Sequence, residues 1–272
     1  MKARAYNGHY VHYIQEGNGP PVIMIHGVAG SHHHWKYLRP ELAAAGFQVF
    51  ALDLLGHGKS EKPECNGTGY HIEAIYAHLA NWISHLELKQ PPILIGHSMG
   101  AYLMLLYAIR NPGKVRGMVL VSPFYNPKQL SGLLRLSLRG ERLSTKVLRV
   151  APAWTISSAM ALTKLKGEQL SRADRKQLAL DFKRSDPRVI TFPKTTQDLS
   201  PYLKRIKERV LIVWGKSDLT LSPKSYPALV DALPNALACP LPGGHNIHLT
   251  HPAFNQHIIQ FLNQLFMRQT EA

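Results

Sequence analysis

Residues 94–102 read Leu-Ile-Gly-His-Ser-Met-Gly-Ala-Tyr, placing one serine between two glycines where an apolar run gives way to a helical pattern. The run "PILIGH" after Pro91 predicts a short buried strand, and "MGAYLMLLYAIRNP" predicts a buried helix. A Gly-x-Ser-x-Gly turn between such elements is the signature of a nucleophile elbow, so tight that only small residues fit beside the serine. There the Ser98 hydroxyl projects clear of both elements, and the start of the helix offers backbone N–H groups and a positive dipole end to a developing oxyanion.

A serine hydroxyl is a poor nucleophile at neutral pH and needs a histidine base oriented by a carboxylate. Working outward, "RVLIVWG" and "ALACPL" read as two further strands. Each is followed by a loop carrying one of the missing groups, Asp218 in "KSDLTLSP" and His245 in "PGGHNIHLTHP". The chain order Ser98, Asp218, His245 is the order such an elbow predicts. The competitors fit less well: Asp231 falls in a helical pattern and Asp198 in a strandless region. His248 and His251 lie where a helix starting near Pro252 carries side chains away, so they are read as packing beside the site or as solvated. The oxyanion needs two backbone donors, assigned to Met99, which follows the nucleophile, and to Val28 in the loop after "VIMIHG".

Two other polar stretches receive structural readings. Asp53, which opens "DLLGHGKS", is read as capping a tight loop. The run "SHHHW" at 31–35 is read as lining the pocket mouth rather than holding a metal. Adjacent histidines in a loop cannot all face one ion, and no carboxylate or cysteine lies close in sequence. No metal and no cofactor is expected.

The remaining chain fixes the class. "GHYVHYIQEG" alternates and, with Gly-Asn-Gly-Pro-Pro behind it, reads as a hairpin entry. From "PVIMIHG" onward strands alternate with helices near "WKYLRPELAAAG", "IEAIYAHLANWISHLEL" and "AFNQHIIQFLNQLF", which predicts an α/β protein with a mostly parallel sheet covered by helices on both faces. Between Pro123 and about Arg205 the rhythm breaks into helical segments rich in Lys and Arg. The expected organisation is a core of 1–123 and 206–272 interrupted by a helical insertion, 124–205. Within it Leu130, Leu133, Leu134 and Leu138 recur at helical spacing, with Arg135, Arg139 and Arg142 interleaved and Glu141 opposing them. That pattern suits packing against the core, or an anionic membrane or lipid chain.

With 272 residues, 45% of them hydrophobic, the chain suits one elaborated domain. Its net charge of +15 favours anionic partners, a membrane surface or an acidic substrate. Nucleic acid is not expected, because the basic residues are scattered and no recognition motif accompanies them. The chain has no apolar run of the roughly 18 residues a membrane span needs and no secretory h-region at its start, which predicts a cytoplasmic protein, peripheral attachment to a membrane remaining open. Cys65 and Cys239 are far apart and are read as free thiols.

His26-Gly27, Asp53 to Ser60, Gly96 to Gly100, Trp214 to Asp218 and Gly244-His245, in this order, resemble the α/β-hydrolase fold superfamily in its serine-hydrolase branch. The resemblance spans residues 26–245. It implies an oxyanion loop at Val28, a structural loop at Asp53 to Ser60, and a helical cap at 124–205 that roofs the pocket and sets substrate choice. Serine at the elbow departs from the epoxide hydrolase and haloalkane dehalogenase branches, which use aspartate there. The implied activity is carboxylesterase-like or lipase-like cleavage of a small acyl ester. Carbon–carbon bond hydrolysis, acyl transfer, peptide cleavage or perhydrolysis on the same residues, and a non-catalytic receptor, are the alternatives.

Overall fold

The computed structural model describes the chain except residues 1, 7, 65–69, 162–168, 268–272 and most of 133–148. Cys65, and Leu133, Leu134, Arg139, Glu141 and Arg142 of the leucine–arginine pattern, therefore lie outside the described residues.

Strands β1 (Lys2–Tyr6), β2 (His9–Glu16), β3 (Pro21–Ile25), β4 (Gln48–Leu52), β5 (Ile93–His97), β6 (Gly117–Val121), β7 (Arg209–Gly215) and β8 (Ala236–Leu241) form one sheet, in the order β1-β2-β4-β3-β5-β6-β7-β8. β1 and β2 pair antiparallel, and β2 pairs antiparallel with β4; the ladders from β4 to β8 are parallel. The central strands are apolar throughout because helices cover both faces, and period-two alternation sends their side chains to two separate cores. Ile23, Ile25, Leu94, Met118, Leu120, Val210 and Ile212 face one core; Val22, Met24, Ile93, Ile95, Val119, Val121, Leu211 and Val213 face the other.

Helices α1 (Leu38–Ala44), α2 (Ile72–Ser84) and α3 (Met99–Arg110) follow β3, β4 and β5. α3 is buried without a break from Met99 to Ala108, whereas α2 buries one stripe, Ile72, Ile75, Leu79, Trp82 and Ile83. After β6 come α4 (Ala153–Ala161) and α5 (Arg172–Arg184), then 3-10 segments at Pro187–Thr195 and Ser200–Arg205. Helices α6 (Tyr226–Ala232), α7 (Ile247–Thr250) and α8 (Phe254–Met267) follow. Among the described residues no helix is long and apolar enough to cross a membrane.

The hairpin expected after β2 is not formed there. The antiparallel partner of β2 on that side is β4, and the hairpin joins β1 to β2 through Gly8 at φ +81°. Gly17 and Gly19 instead let the chain pass against the α1–β4 connection: a Cβ on them would lie 2.2 Å from the Phe47 carbonyl oxygen and 2.1 Å from that of Gly46.

Candidate active site

Ser98 joins β5 to α3 at φ +52°, a left-handed backbone that a serine adopts only under local constraint. The constraint is visible in its neighbours. Ser98 N–H donates to the Val121 carbonyl (2.9 Å), and its own carbonyl accepts from Tyr102 (3.2 Å) and Phe124 (3.3 Å). Both flanking glycines are obligatory. A Cβ at Gly96 would stand 2.6 Å from the Ala101 nitrogen, and one at Gly100 would stand 2.3 Å from the Ile25 carbonyl oxygen.

Asp218 and His245 emerge from the carboxyl ends of β7 and β8, where sites gather in open α/β sheets. His245 Nδ1 lies 2.8 Å from Asp218 Oδ2. The other carboxylate oxygen accepts from the amides of Thr220 (2.8 Å) and Leu221 (3.0 Å), and the Tyr226 hydroxyl donates to Oδ2 (3.0 Å). Burial works to raise the Asp218 pKa, but His245 and the two amides outweigh it and hold the carboxyl below its ordinary value. Burial and then Asp218 push the Tyr226 phenol well up, so it stays a hydrogen-bond donor. The histidine loop is fastened to the elbow, since His97 Nε2 donates to the His245 carbonyl at 3.1 Å. Of the competing acids, Asp231 lies within α6, and Asp198 accepts from the Ser200 amide.

The loop after β3 lies against the elbow: a Cβ on Gly27 would be 3.3 Å from Ser98 Cβ. Val28 follows it, half-buried, and Met99 is the first residue of α3. His26 steadies this loop, donating from Nδ1 to the Gly27 carbonyl (2.7 Å) and accepting at Nε2 from the Leu54 amide (3.0 Å). Asp53 has the loop-capping role read for it. Its carboxylate accepts from the amides of His32 (2.7 Å) and Lys59 (2.9 Å) and meets the rings of His12 (3.1 Å) and His32 (2.8 Å).

Two expectations need correction. His32, His34 and Trp35 are buried rather than lining a pocket mouth, and carboxylates distant in sequence reach this stretch: His32 meets Asp53, and His33 meets Asp181 at 3.2 Å. His248 is not carried away, because α7 starts at Ile247 and turns its ring to within 4.3 Å of the His97 ring, centroid to centroid. The groups that the sequence did not single out are Tyr226, His12 and Gln129. Gln129 is buried, with Nε2 donating to the Pro123 carbonyl (3.0 Å) and to Ser225 Oγ (2.9 Å), while its Oε1 accepts from the Tyr125 amide (2.7 Å). Next to it, Leu130 bridges to Leu221, three residues beyond Asp218.

The α5 helix meets the same side of the molecule. Ser171 caps it by accepting from the Asp174 amide (3.0 Å), and Lys183 and Arg184 sit in its last turn, complementing the dipole. Its buried face carries two acids: Asp174 pairs with Lys36 and Tyr37, and Asp181 with His33. Phe192, further along the same segment, packs its ring 5.3 Å from that of Phe124, just after β6.

Residues 20–252 match the family model for the alpha/beta hydrolase fold. Curated relatives include haloalkane dehalogenase 2 of Mycobacterium bovis, 25% identical over 85% of this chain and 83% of that protein. Bifunctional epoxide hydrolase 2 of Sus scrofa is 35% identical over 42% of this chain, a match spanning 20% of that longer protein. Among solved structures, a thermophilic esterase from Thermogutta terrifontis superposes with a TM-score of 0.80 at 22% identity, covering 97% of each chain. A meta-cleavage product hydrolase from Pseudomonas fluorescens gives 0.78 at 19% identity, covering 97% of this chain and 98% of its own.

Proposed function

The chain belongs to the alpha/beta hydrolase fold family, a family of hydrolases, and from that premise we propose that it cleaves carboxylic esters through Ser98, His245 and Asp218. The reading is carried by one conjunction: a serine held at φ +52° whose elbow is tied by His97 to the loop of a histidine 2.8 Å from a buried carboxylate. Ser98 Oγ adds to the ester carbonyl as its proton passes to His245 Nε2. Asp218 keeps the ring in the Nδ1–H tautomer and balances the imidazolium charge. The amides of Val28 and Met99 receive the oxyanion. His245 then protonates the leaving alcohol and activates the water that releases the acyl group from Ser98.

The dehalogenase and epoxide hydrolase relatives do not extend their chemistry to this chain, because on the resemblance drawn above those branches carry aspartate where Ser98 stands. Residues 124–205 act as the cap over the pocket, and the acids of α5 and the ring of Phe192 support that reading by joining the segment to the core. The same segment carries 17 Lys and Arg against 6 Asp and Glu, which favours an anionic membrane surface as the place where its substrate is met.

Hydrolysis of p-nitrophenyl esters from acetate to palmitate, by wild type and Ser98→Ala side by side, tests the assignment. Turnover is expected in wild type and to fall by several orders of magnitude in the variant, with its fold intact. Substantial turnover by purified Ser98→Ala would overturn it.

A further inference from the structure

Three histidines that do not touch the substrate in the proposed ester cleavage converge behind the elbow, His97 serving it only through the Nε2 tie to the His245 loop. His34 comes from the segment after β3, His97 from the end of β5 and His248 from α7, and all three are buried. One ring nitrogen of each lies within 4.8 Å of the other two, and the ring centroids are 4.3 to 5.4 Å apart. Buried polar atoms almost always have hydrogen-bond partners. Here His34 Nδ1, His97 Nδ1 and both nitrogens of His248 have none in the protein. Because His97 Nε2 donates to the His245 carbonyl, its lone pair sits on Nδ1. Glycines make the space: a Cβ on Gly27 would fall 2.7 Å from His97 Nδ1, and one on Gly30 would fall 2.5 Å from His34 Nε2.

The rings are also in the right ionic form. Burial pushes His34 down to about 3 and holds His97 and His248 well below the ordinary histidine value, so all three are neutral at physiological pH. Neutral imidazole is the form that ligates metals. A second cluster, His12, His32 and Asp53, is equally compact, but the Asp53 oxygens are already occupied by two amides and two rings.

We propose that His34, His97 and His248 bind one borderline transition-metal ion, zinc on ligand chemistry, through three neutral imidazoles with a water completing the shell. Imidazole suits zinc, and three histidines with one open position are an established zinc coordination set. Bonds of about 2.0–2.1 Å require the nitrogens to draw together by small side-chain rotations. The ion joins the loop after β3, the elbow and the segment beyond His245, so it stiffens the frame without touching the reacting atoms. The site stands whether or not Ser98 cleaves esters.

The test uses the untagged full chain, stripped with chelator and titrated with zinc chloride against a competing indicator. One zinc per chain and a rise in Tm are expected, lost in His34→Asn and in His248→Asn and kept in the double variant of the exposed His71→Asn and His85→Asn. A folded wild type that takes up no zinc, or a single zinc that survives both core substitutions, would overturn the proposal. Should the core variants not fold, cobalt(II) on wild type decides. The intense visible absorption of a four-coordinate ion supports the site, and only the faint bands of a six-coordinate one sink it.

Discussion

At φ +52° Ser98 holds a conformation that costs about 1–3 kcal/mol, and the surrounding backbone keeps it there. Gly100→Ala, whose new methyl meets the Ile25 carbonyl oxygen, should lower Tm and ester turnover together, whereas Ser98→Ala should lose turnover and keep its Tm. Thermal melts and the p-nitrophenyl assay on both variants check the contrast. Tyr226→Phe removes one donor from Asp218 but leaves the Thr220 and Leu221 amides, so a loss of about 1 kcal/mol of stability and a fall in kcat at unchanged KM are expected. Asp53 makes the pH argument. Burial works to raise its pKa, yet the His12 and His32 rings hold it well below the ordinary carboxylate range. Such an acid stabilises the fold above its unfolded value of about 4, and that contribution drains away as pH falls through the lower folded value. Asp53→Asn should therefore cost about 3 kcal/mol near neutrality and flatten the loss of stability below about pH 4, read from urea melts between pH 3 and 7. The placement of Ser98, Asp218 and His245 in loops beyond three strands was legible because each lies within four residues of the end of an apolar run. Tyr226, Gln129 and His12 were not, because hydrogen bonds to Asp218, Ser225 and Asp53 leave no local pattern.

Among the elements, the parallel strands β3, β5, β6 and β7 were the most legible, since burial on both faces writes them as unbroken apolar runs. The alternation in β2 named a strand but not its neighbour: a period of two says which face is buried and nothing about which edge is paired. In the insertion, α4 and α5 leave a groove lined by Trp154, Arg172, Arg175 and Lys176, with Trp154 69% exposed. Aromatic surface ringed by cations suits the boundary of an anionic bilayer. Wild type should co-sediment with phosphatidylglycerol vesicles and not with phosphatidylcholine ones. Trp154→Ala and the pair Arg172→Glu and Lys176→Glu should weaken that binding while hydrolysis of soluble esters is kept; equal binding by all of them would discard the membrane role.

Taken as a whole, the charge is unevenly spread, with the insertion carrying +11 of the net +15. An anionic partner should therefore be drawn toward this segment more than toward the rest of the chain, and the attraction should fade as salt shortens the Debye length from about 10 Å at 0.1 M to about 3 Å at 1 M. The later part of the segment is anchored to one of the two cores, into which the stretch after α5 sinks Val189, Phe192, Leu199 and Leu203. The entry to the insertion is rooted just as firmly. Gln129 is spliced to Ser225, and Leu130 forms a rung with Leu221 beside the acid that orients the histidine. For the engineer who wants to transplant roofs between enzymes, the cut does not belong at residue 124. On the cap reading proposed above, a graft that begins after Ser131 should keep the Asp218 loop in its native setting and change which ester is accepted, while one that begins earlier should disturb the proposed chemistry as well.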